Sequence, residues 1–168
     1  MIDRRLMLAG GASLATLAAL AWRTDMSAVA ETFEVARSEE EWRKILTPEQ
    51  FHVLRRHGTE RAGSSPLNHE KRKGTFVCAG CGNPLFSSET KYESGTGWPS
   101  FYQPLPNAVG TSTDRSWFMT RTEVHCARCG GHLGHASDDG PPPTGQRYCM
   151  NGVAMKFVPA ESEAGKSS

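Results

Sequence analysis

Between residues 38 and 58 the apolar positions recur at the spacing of two short helices. Ser38 and Thr47 each stand three residues before a Glu or Gln, which is the capping-box pattern that begins a helix. Pro48 takes the first helical position of the second stretch, and Gly58 is expected to end that helix. The apolar residues assigned to the inner faces are Trp42, Ile45, Leu46, Phe51 and Leu54.

From residue 74 onward the helical spacing gives way to short apolar runs separated by Gly, Pro, Asn and Asp. Such runs are typical of β-strands joined by turns. The predicted strands are residues 75–77, 116–119, 122–125 and 153–158. Residues 140–145, which include three consecutive prolines, are expected to form a rigid turn. The predicted fold class is therefore mainly β, an antiparallel domain with two short N-terminal helices.

The first thirty residues have the pattern of an export signal. Arg4 and Arg5 precede 16 uncharged residues, from Leu6 to Ala21, as in twin-arginine signals. This run is shorter than the roughly 20 residues of a membrane span, although a retained membrane anchor is an alternative. Small residues at Ala28 and Ala30 suit cleavage after Ala30. We therefore expect an exported protein, periplasmic or otherwise extracytoplasmic, with a linker at 31–37, a folded domain at 38–160 and a disordered tail at 161–168.

Composition narrows the possible partners. The 168 residues are 38% hydrophobic and 22% charged, which is typical of one globular domain. The net charge of +1 gives no strongly basic face, so we expect no nucleic-acid partner. The sequence gives no sign of oligomerisation, and a monomer is the default expectation.

Four of the five cysteines form two matching Cys-x-x-Cys pairs, each followed by glycine. Four thiolates can close a tetrahedron around one Zn²⁺ with no open position, which predicts a structural site with one zinc ion per chain. Redox-active pairs would need a βαβ setting that is missing here, and disulfides within the pairs or bound iron are further alternatives. The predicted metal ligands are Cys78, Cys81, Cys126 and Cys129.

The fifth cysteine, Cys149, has a polar residue two positions away on each side, in a segment that is interpreted as a strand. Residues two apart on a strand share a face, so Arg147, Cys149 and Asn151 would point the same way. A nearby guanidinium favours the thiolate, which is the nucleophilic form. An inert buried cysteine is the alternative, but an apolar core would then have to desolvate both polar neighbours.

Two further segments carry candidate functional groups. His132 and His135 lie in a glycine-rich stretch beside the second cysteine pair, and either can transfer protons near neutral pH. The other histidines, at 52, 57, 69 and 125, show no partner pattern and are interpreted as solvated or structural. Trp98 precedes a proline in a glycine-flanked loop. We expect its indole to lie either in a binding pocket or in the core.

Taken together, these segments resemble the methionine-R-sulfoxide reductases of the B type, from about Ser38 to Pro159. The shared segments are Pro66-Leu67-Asn68, Cys78-x-x-Cys81, Ser94 to Phe101, Cys126-x-x-Cys129, Gly131 to His135, Asp139-Gly140-Pro141 and Arg147-Tyr148-Cys149. The resemblance implies a β-tent of two antiparallel sheets, a four-cysteine zinc site, and reduction of methionine-R-sulfoxide, in proteins or free, by a thiol.

The resemblance also implies roles for single residues. Cys149 would attack the sulfoxide sulfur, while His132 and His135 would protonate the departing oxygen. Trp98 would contact the S-methyl group and select the R epimer. The substrate would be oriented and polarised by Arg147 and Asn151.

One position departs from many members of that family, which have a second cysteine where this chain has Thr96. With four thiols on the metal, no cysteine remains to resolve a Cys149 sulfenic acid. We therefore expect an external thiol reductant, either a thioredoxin-like protein or a small thiol. Ala136-Ser137 also replaces bulkier apolar residues. A non-catalytic zinc-ribbon binding module and a thiol–disulfide oxidoreductase are the alternative functions.

Overall fold

The computed structural model describes residues 32–116 and 119–161. The predicted signal segment, at 1–30, lies outside the described residues, as do Trp117, Phe118 and residues 162–168 of the predicted tail. Among the described residues, no helix combines the length and apolar character that a membrane crossing requires.

Two short helices lead the domain, as predicted. Helix α1 spans Glu39–Ile45 and α2 spans Pro48–Arg56, and both begin with a complete capping box. Trp42 is 2% exposed, whereas Ile45 is 52% exposed and does not share the buried face assigned to it. The second helix ends one residue earlier than expected, because His57 itself adopts the left-handed conformation, with φ 53°.

The described strands form two antiparallel sheets, which confirms the predicted fold class. The smaller sheet has the order β2-β1-β9, and the larger has the order β3-β4-β8-β7-β6-β5. The strands are β1 Gly74–Cys78, β2 Pro84–Ser87, β3 Lys91–Tyr92, β4 Ser100–Phe101, β5 Val109–Asp114, β6 Arg121–Cys126, β7 His132–Ser137, β8 Arg147–Met150 and β9 Met155–Pro159.

Two of the predicted strands differ from the observed ones. Ser116 and Met119, the first and last residues of the strand predicted at 116–119, lie outside any strand of the structure. Gly152–Ala154 is a 3₁₀ turn, so the last strand begins at Met155 rather than at Val153. The predicted turn at 140–145 is present and returns the chain from β7 to β8.

Aromatic rings fill the space between the strands. Phe86 and Phe101 stack with ring centroids 4.3 Å apart, and Phe76 meets Phe101 edge-on at 4.9 Å. All three rings are fully buried. Burial of aromatic surface of this size is a dominant source of folding free energy. The core therefore fixes β4, which carries Ser100 beside Phe101, against its neighbouring strands.

The segment before α1 contacts the β domain, although residues 31–37 were predicted to be a linker. The Val35 N–H donates to the carbonyl of Arg128 at 2.9 Å. Glu34 pairs with the Arg128 guanidinium at 2.8 Å, and Phe33 packs edge-on against His125. The described part of this segment is therefore held on the turn between β6 and β7.

Candidate active site

A row of polar residues crosses the larger sheet, with one residue on each of its described strands. Directly paired residues on adjacent strands place their side chains on the same face. The row consists of Tyr92, Ser100, Cys149, His135, Glu123 and Ser112, in the order of the strands. The strand register therefore brings Cys149 and His135 together as direct cross-strand neighbours.

Cys149 opens into a cavity of about 200 Å³. Its described lining residues are Thr59, Trp98, Arg121, Gly134, His135, Ser137, Arg147, Cys149 and Asn151. Thus Arg147, Cys149 and Asn151 share one cavity, while Met150 points into the core. Gly134 lets β7 approach β8 closely, because a Cβ there would overlap the backbone carbonyl of Cys149.

A chain of hydroxyl groups leads to the Cys149 sulfur. The Thr96 hydroxyl oxygen lies 3.6 Å from Cys149 Sγ, and it lies 2.9 Å from the Ser94 hydroxyl. Ser94 in turn contacts the Ser100 hydroxyl at 2.7 Å. Hydroxyl protons can rotate to suit a neighbouring charge. Thr96 can therefore donate a hydrogen bond to a Cys149 thiolate.

His135 is oriented by a carboxylate on the neighbouring part of the sheet. Its Nε2 lies 2.8 Å from Asp114 Oδ2, and Arg121 donates to the same oxygen at 2.6 Å. Hydrogen bonds from Ser116, and then from His135 and Arg121, hold the pKa of Asp114 well below its usual value. The carboxylate is therefore ionised at any physiological pH and fixes the ring orientation of His135.

His132 lies deeper than His135 and is not among the described residues that line the Cys149 cavity. It is 2% exposed, its Nδ1 lies 2.7 Å from Glu123 Oε1, and its ring meets that of His135 edge-on at 5.3 Å. Burial lowers the pKa of His132, which favours the neutral imidazole. The ring is therefore placed to support His135 rather than to reach a substrate beside Cys149.

Trp98 and Asn151 are held in place through Glu60. The Trp98 indole N–H donates to the Glu60 carbonyl at 3.2 Å, and the Glu60 N–H donates to Asn151 Oδ1 at 2.9 Å. The Glu60 carboxylate accepts the N–H groups of Gly152 and Val153, at 2.6 and 2.9 Å. One residue therefore fixes both the indole and the backbone that follows Cys149.

Arg147 is paired with a carboxylate rather than directed freely at the thiol. Its guanidinium donates to both oxygens of Asp139, at 2.8 and 2.7 Å. Bidentate pairing of this kind fixes the plane of a guanidinium. Arg147 therefore presents a charge of fixed position to the Cys149 cavity.

The other four cysteines form a separate metal-binding cluster with sulfur atoms within 4.8 Å of one another. Cys78 and Cys129 are 3.8 Å apart at Sγ, and Cys81 and Cys126 are 3.6 Å apart. A disulfide would need about 2.04 Å, so these are free thiols. Because one pair follows β1 and the other follows β6, a bound ion would tie the two sheets together.

Each pair sits in the same kind of turn. Gly82 N–H donates to the Cys78 carbonyl at 2.9 Å, and Gly130 N–H donates to the Cys126 carbonyl at 2.8 Å. Both glycines have positive φ, 74° and 65°, which other residues rarely adopt. The repeated Cys-x-x-Cys-Gly pattern in the sequence therefore corresponds to a repeated ligand turn.

Several residues of the site were missed by the sequence reasoning. Glu60, Asp114 and Glu123 hold the residues that were singled out, and His57 contacts Glu123 at 2.8 Å although it was interpreted as solvated or structural. Arg121 directly precedes the strand predicted at 122–125 and Glu123 lies on it, so these two residues, two apart, could have been recognised as a shared polar face. Asp114 and Glu60 gave no such signal, because their partners are distant in the sequence.

Comparison with known proteins shows which family the chain belongs to. A family model described as the SelR domain matches residues 46–159. A peptide methionine sulfoxide reductase MsrB of Methanosarcina barkeri is 58% identical over 128 residues, which cover 76% of this chain and 90% of the relative. This chain belongs to the MsrB family.

Relatives from other lineages extend the MsrB match. An MsrB of Leptospira interrogans is 56% identical over 126 residues, covering 74% of this chain and 96% of the relative. A chloroplastic peptide methionine sulfoxide reductase B1 of Arabidopsis thaliana is 55% identical over 121 residues, covering 71% and 60%. The resemblance inferred from the motifs is confirmed. The matched SelR span contains every described residue of the Cys149 cavity and all four cysteines of the metal cluster.

Proposed function

We propose that the protein reduces methionine-R-sulfoxide, in proteins or free, to methionine, with Cys149 as the nucleophile. The observation that carries this proposal is that the one cysteine outside the metal cluster shares a cavity with His135 and Trp98. Membership of the MsrB family supports the same activity.

The reaction transfers one oxygen atom between two sulfur atoms. The Cys149 thiolate attacks the sulfoxide sulfur, a proton is delivered to the oxygen, and the oxygen ends on Cys149 as a sulfenic acid while methionine is released. The sulfoxide is thereby reduced by two electrons and the cysteine is oxidised by two. Because the sulfoxide oxygen leaves poorly without a proton, the thiolate and an acid must act together.

His135 is the proposed acid, because its ring lines the cavity and is the direct cross-strand neighbour of Cys149. Asp114 orients the ring through a hydrogen bond to its Nε2. His132 acts as a positioning residue, through its ring contact with His135 and its hydrogen bond to Glu123. Arg147 and Asn151 orient the substrate in the same cavity.

Trp98 is the proposed determinant of stereochemistry. Its indole is partly exposed in the Cys149 cavity while its N–H is held by the Glu60 carbonyl. A fixed aromatic face suits the S-methyl group of the substrate. If the methyl group packs on Trp98 while the oxygen faces His135, only one epimer at sulfur fits.

The sulfenic acid on Cys149 is proposed to be reduced from outside the chain. Thr96 is the residue in contact with Cys149 Sγ, and a hydroxyl cannot form a disulfide. An external thiol, from a thioredoxin-like protein or a small molecule, attacks the sulfenic sulfur, releases water and forms a mixed disulfide. A second thiol then frees Cys149.

The four-cysteine cluster is proposed to hold structural Zn²⁺. Zinc–sulfur bonds of about 2.3 Å in a tetrahedron place the sulfur atoms about 3.8 Å apart, which agrees with the observed separations of 3.6 and 3.8 Å. With all four positions filled by thiolates, the ion stabilises the fold and takes no part in the reaction.

The N-terminal segment supports a proposal about the cellular role. We propose export through the twin-arginine signal at residues 1–30, with the mature enzyme working as a monomer that repairs oxidised extracytoplasmic proteins. Secretion of a reporter fused to residues 1–37, compared with the Arg4→Lys and Arg5→Lys double variant, tests the signal. Retention of both fusions in the cytoplasm would contradict export.

Separate assays with the two epimers of methionine sulfoxide test the proposed activity. The wild type is expected to reduce the R epimer with a strong preference, and Cys149→Ser is expected to lose all turnover while keeping its metal. Turnover by Cys149→Ser, or equal reduction of the S epimer, would contradict the proposal. Activity lost instead on changing Cys78 or Cys81 in a folded variant would favour a thiol–disulfide oxidoreductase, and no turnover at all in the wild type would favour a binding module.

A further inference from the structure

A second cluster of potential metal ligands lies outside the four-cysteine cluster. His57, Glu123 and His132 bring one ligand atom each to within 4.8 Å of the other two. The Nδ1 atoms of His57 and His132 lie 2.8 and 2.7 Å from the same oxygen, Glu123 Oε1. We propose that these three residues bind a divalent cation of the Zn²⁺ type, and that the bound cation slows the enzyme.

The ligand chemistry suits such an ion. Two imidazoles and one carboxylate are a common ligand set for Zn²⁺, with at least one coordination position left for water. The cluster contains no sulfur atom, so its preference among metals differs from that of four thiolates. It therefore provides a site of a different chemical type from the cysteine cluster.

Two of the three ligands are already held in place. Ser112 donates to the second carboxylate oxygen, Glu123 Oε2, at 2.7 Å, and the His132 ring is buried and packs edge-on against the His135 ring. Outer partners that orient a ligand normally strengthen metal binding. Binding a cation here therefore requires ordering of one residue only, His57.

His57 provides the route of entry. Its side chain is 65% exposed at the end of α2, and it lines a cavity of about 480 Å³ together with Glu123 and His132. Asp114 and Arg121 line the same cavity as a pair, so their charges largely cancel, and the exposed Arg115 adds one positive charge that the Glu123 carboxylate offsets. A hydrated cation can therefore reach the cluster from solvent.

The site is coupled to the active site through neighbouring rings. His132 contacts His135 edge-on at 5.3 Å, and Glu123 is the direct cross-strand neighbour of His135. A cation bound to His132 and Glu123 redirects both groups and places a positive charge beside His135. Because the His132 ring that packs against His135 would turn toward the ion, we expect His135 to lose its position beside Cys149 and proton delivery to the sulfoxide to slow. This effect on rate depends on the proposed function, whereas the binding does not.

The binding test uses the full metal-containing protein dialysed against micromolar Zn²⁺, with zinc per chain measured by mass spectrometry. The wild type is expected to gain one equivalent that His57→Asn lacks. Asn tolerates the left-handed conformation of residue 57, so this variant keeps the end of the helix. His52→Asn, which removes an exposed histidine from the same helix, is expected to gain the same equivalent as the wild type.

Binding and inhibition are then compared in one turnover without reductant, so that no added thiol binds the zinc. Methionine release by the wild type and His52→Asn is expected to slow several-fold with Zn²⁺, and His57→Asn is expected to keep its rate. A wild type that gains no zinc, or a His57→Asn variant that gains it equally, overturns the site. Equal slowing of all three proteins would place the inhibitory zinc on Cys149 and overturn the coupling. Failure of every protein to release methionine would contradict the proposed function but leave the binding result intact.

Discussion

Removal of the Glu60 carboxylate should loosen the site without changing any residue that touches the substrate. The carboxylate accepts two backbone N–H groups, at 2.6 and 2.9 Å, from the turn that follows Asn151. Hydrogen bonds to a charged acceptor contribute about 1.5–3 kcal/mol each, and the lower end applies here because Glu60 is only partly buried. We therefore expect Glu60→Gln, which loses one acceptor, to destabilise the fold by about 1.5 kcal/mol, and Glu60→Ala by about 3 kcal/mol.

Two measurements check this expectation in the same samples. Thermal unfolding of the metal-bound protein should show a Tm lowered by about 5 °C for Glu60→Gln. The value of kcat/KM for the R epimer should fall at temperatures where the variant is still fully folded. The carboxylate anchors Glu60 to the backbone of Gly152 and Val153, and without that anchor the Glu60 backbone should hold Trp98 and Asn151 less firmly. Glu161→Gln, at an exposed position, serves as the matched control and should change neither quantity.

The reasoning would be refuted by a Glu60→Gln variant with an unchanged Tm and unchanged kinetics. A lowered Tm with normal kcat/KM would show that the turn contributes to stability but does not position the catalytic groups. Because the backbone groups of Glu60 persist in both variants, the comparison isolates the carboxylate.

Three further predictions concern pH, resolution of the sulfenic acid and the metal. Burial lowers the pKa of His132, so on acidification the unfolded chain takes up a proton that the native chain excludes. The free energy of unfolding should therefore fall as the pH drops below about 6.5. Urea titrations should show a smaller fall for His132→Gln than for the wild type. Thr96→Cys should form a disulfide with Cys149 after one turnover, detected as a loss of free thiols that Thr96→Ser does not show; an unchanged thiol count would contradict the contact seen here. Removing the metal under reducing conditions should unfold the domain, because the ligand turns join the two sheets. Unfolding would be measured as a loss of near-ultraviolet circular dichroism. A chelated protein with an unchanged Tm would contradict this prediction.

Local patterns were sufficient to predict the helices and the metal cluster. Both capping boxes lie within four consecutive residues, and both ligand turns within five, so each signal is contained in one short segment. The end of α2 shows the limit of such reasoning. Gly58 was expected to end the helix, but His57 adopts the left-handed conformation that ends it, and the exposed His57 ring contacts Glu123.

The arrangement around Cys149 depends on strand register, which no short segment encodes. Asp114 and His135 are 21 residues apart, and Glu60 and Asn151 are 91 residues apart, yet each pair is hydrogen-bonded. The sequence could suggest that Arg147, Cys149 and Asn151 share a face, because that follows from alternation along one strand. It could not show that His135 would pair with Cys149 while His132 would lie beyond the cavity.

The hydroxyl of Thr96 beside Cys149 also bears on how the enzyme is damaged. In the proposed mechanism no neighbouring sulfur traps the oxidised Cys149, so it would persist until a reductant arrives, in a cavity that other small molecules can enter. A peroxide that reaches it first carries it to the sulfinic acid, which ordinary thiols do not reverse. If Cys149 is the nucleophile, the lifetime of the active enzyme under oxidative stress would depend on whether reductant or peroxide reacts first with this one sulfur atom.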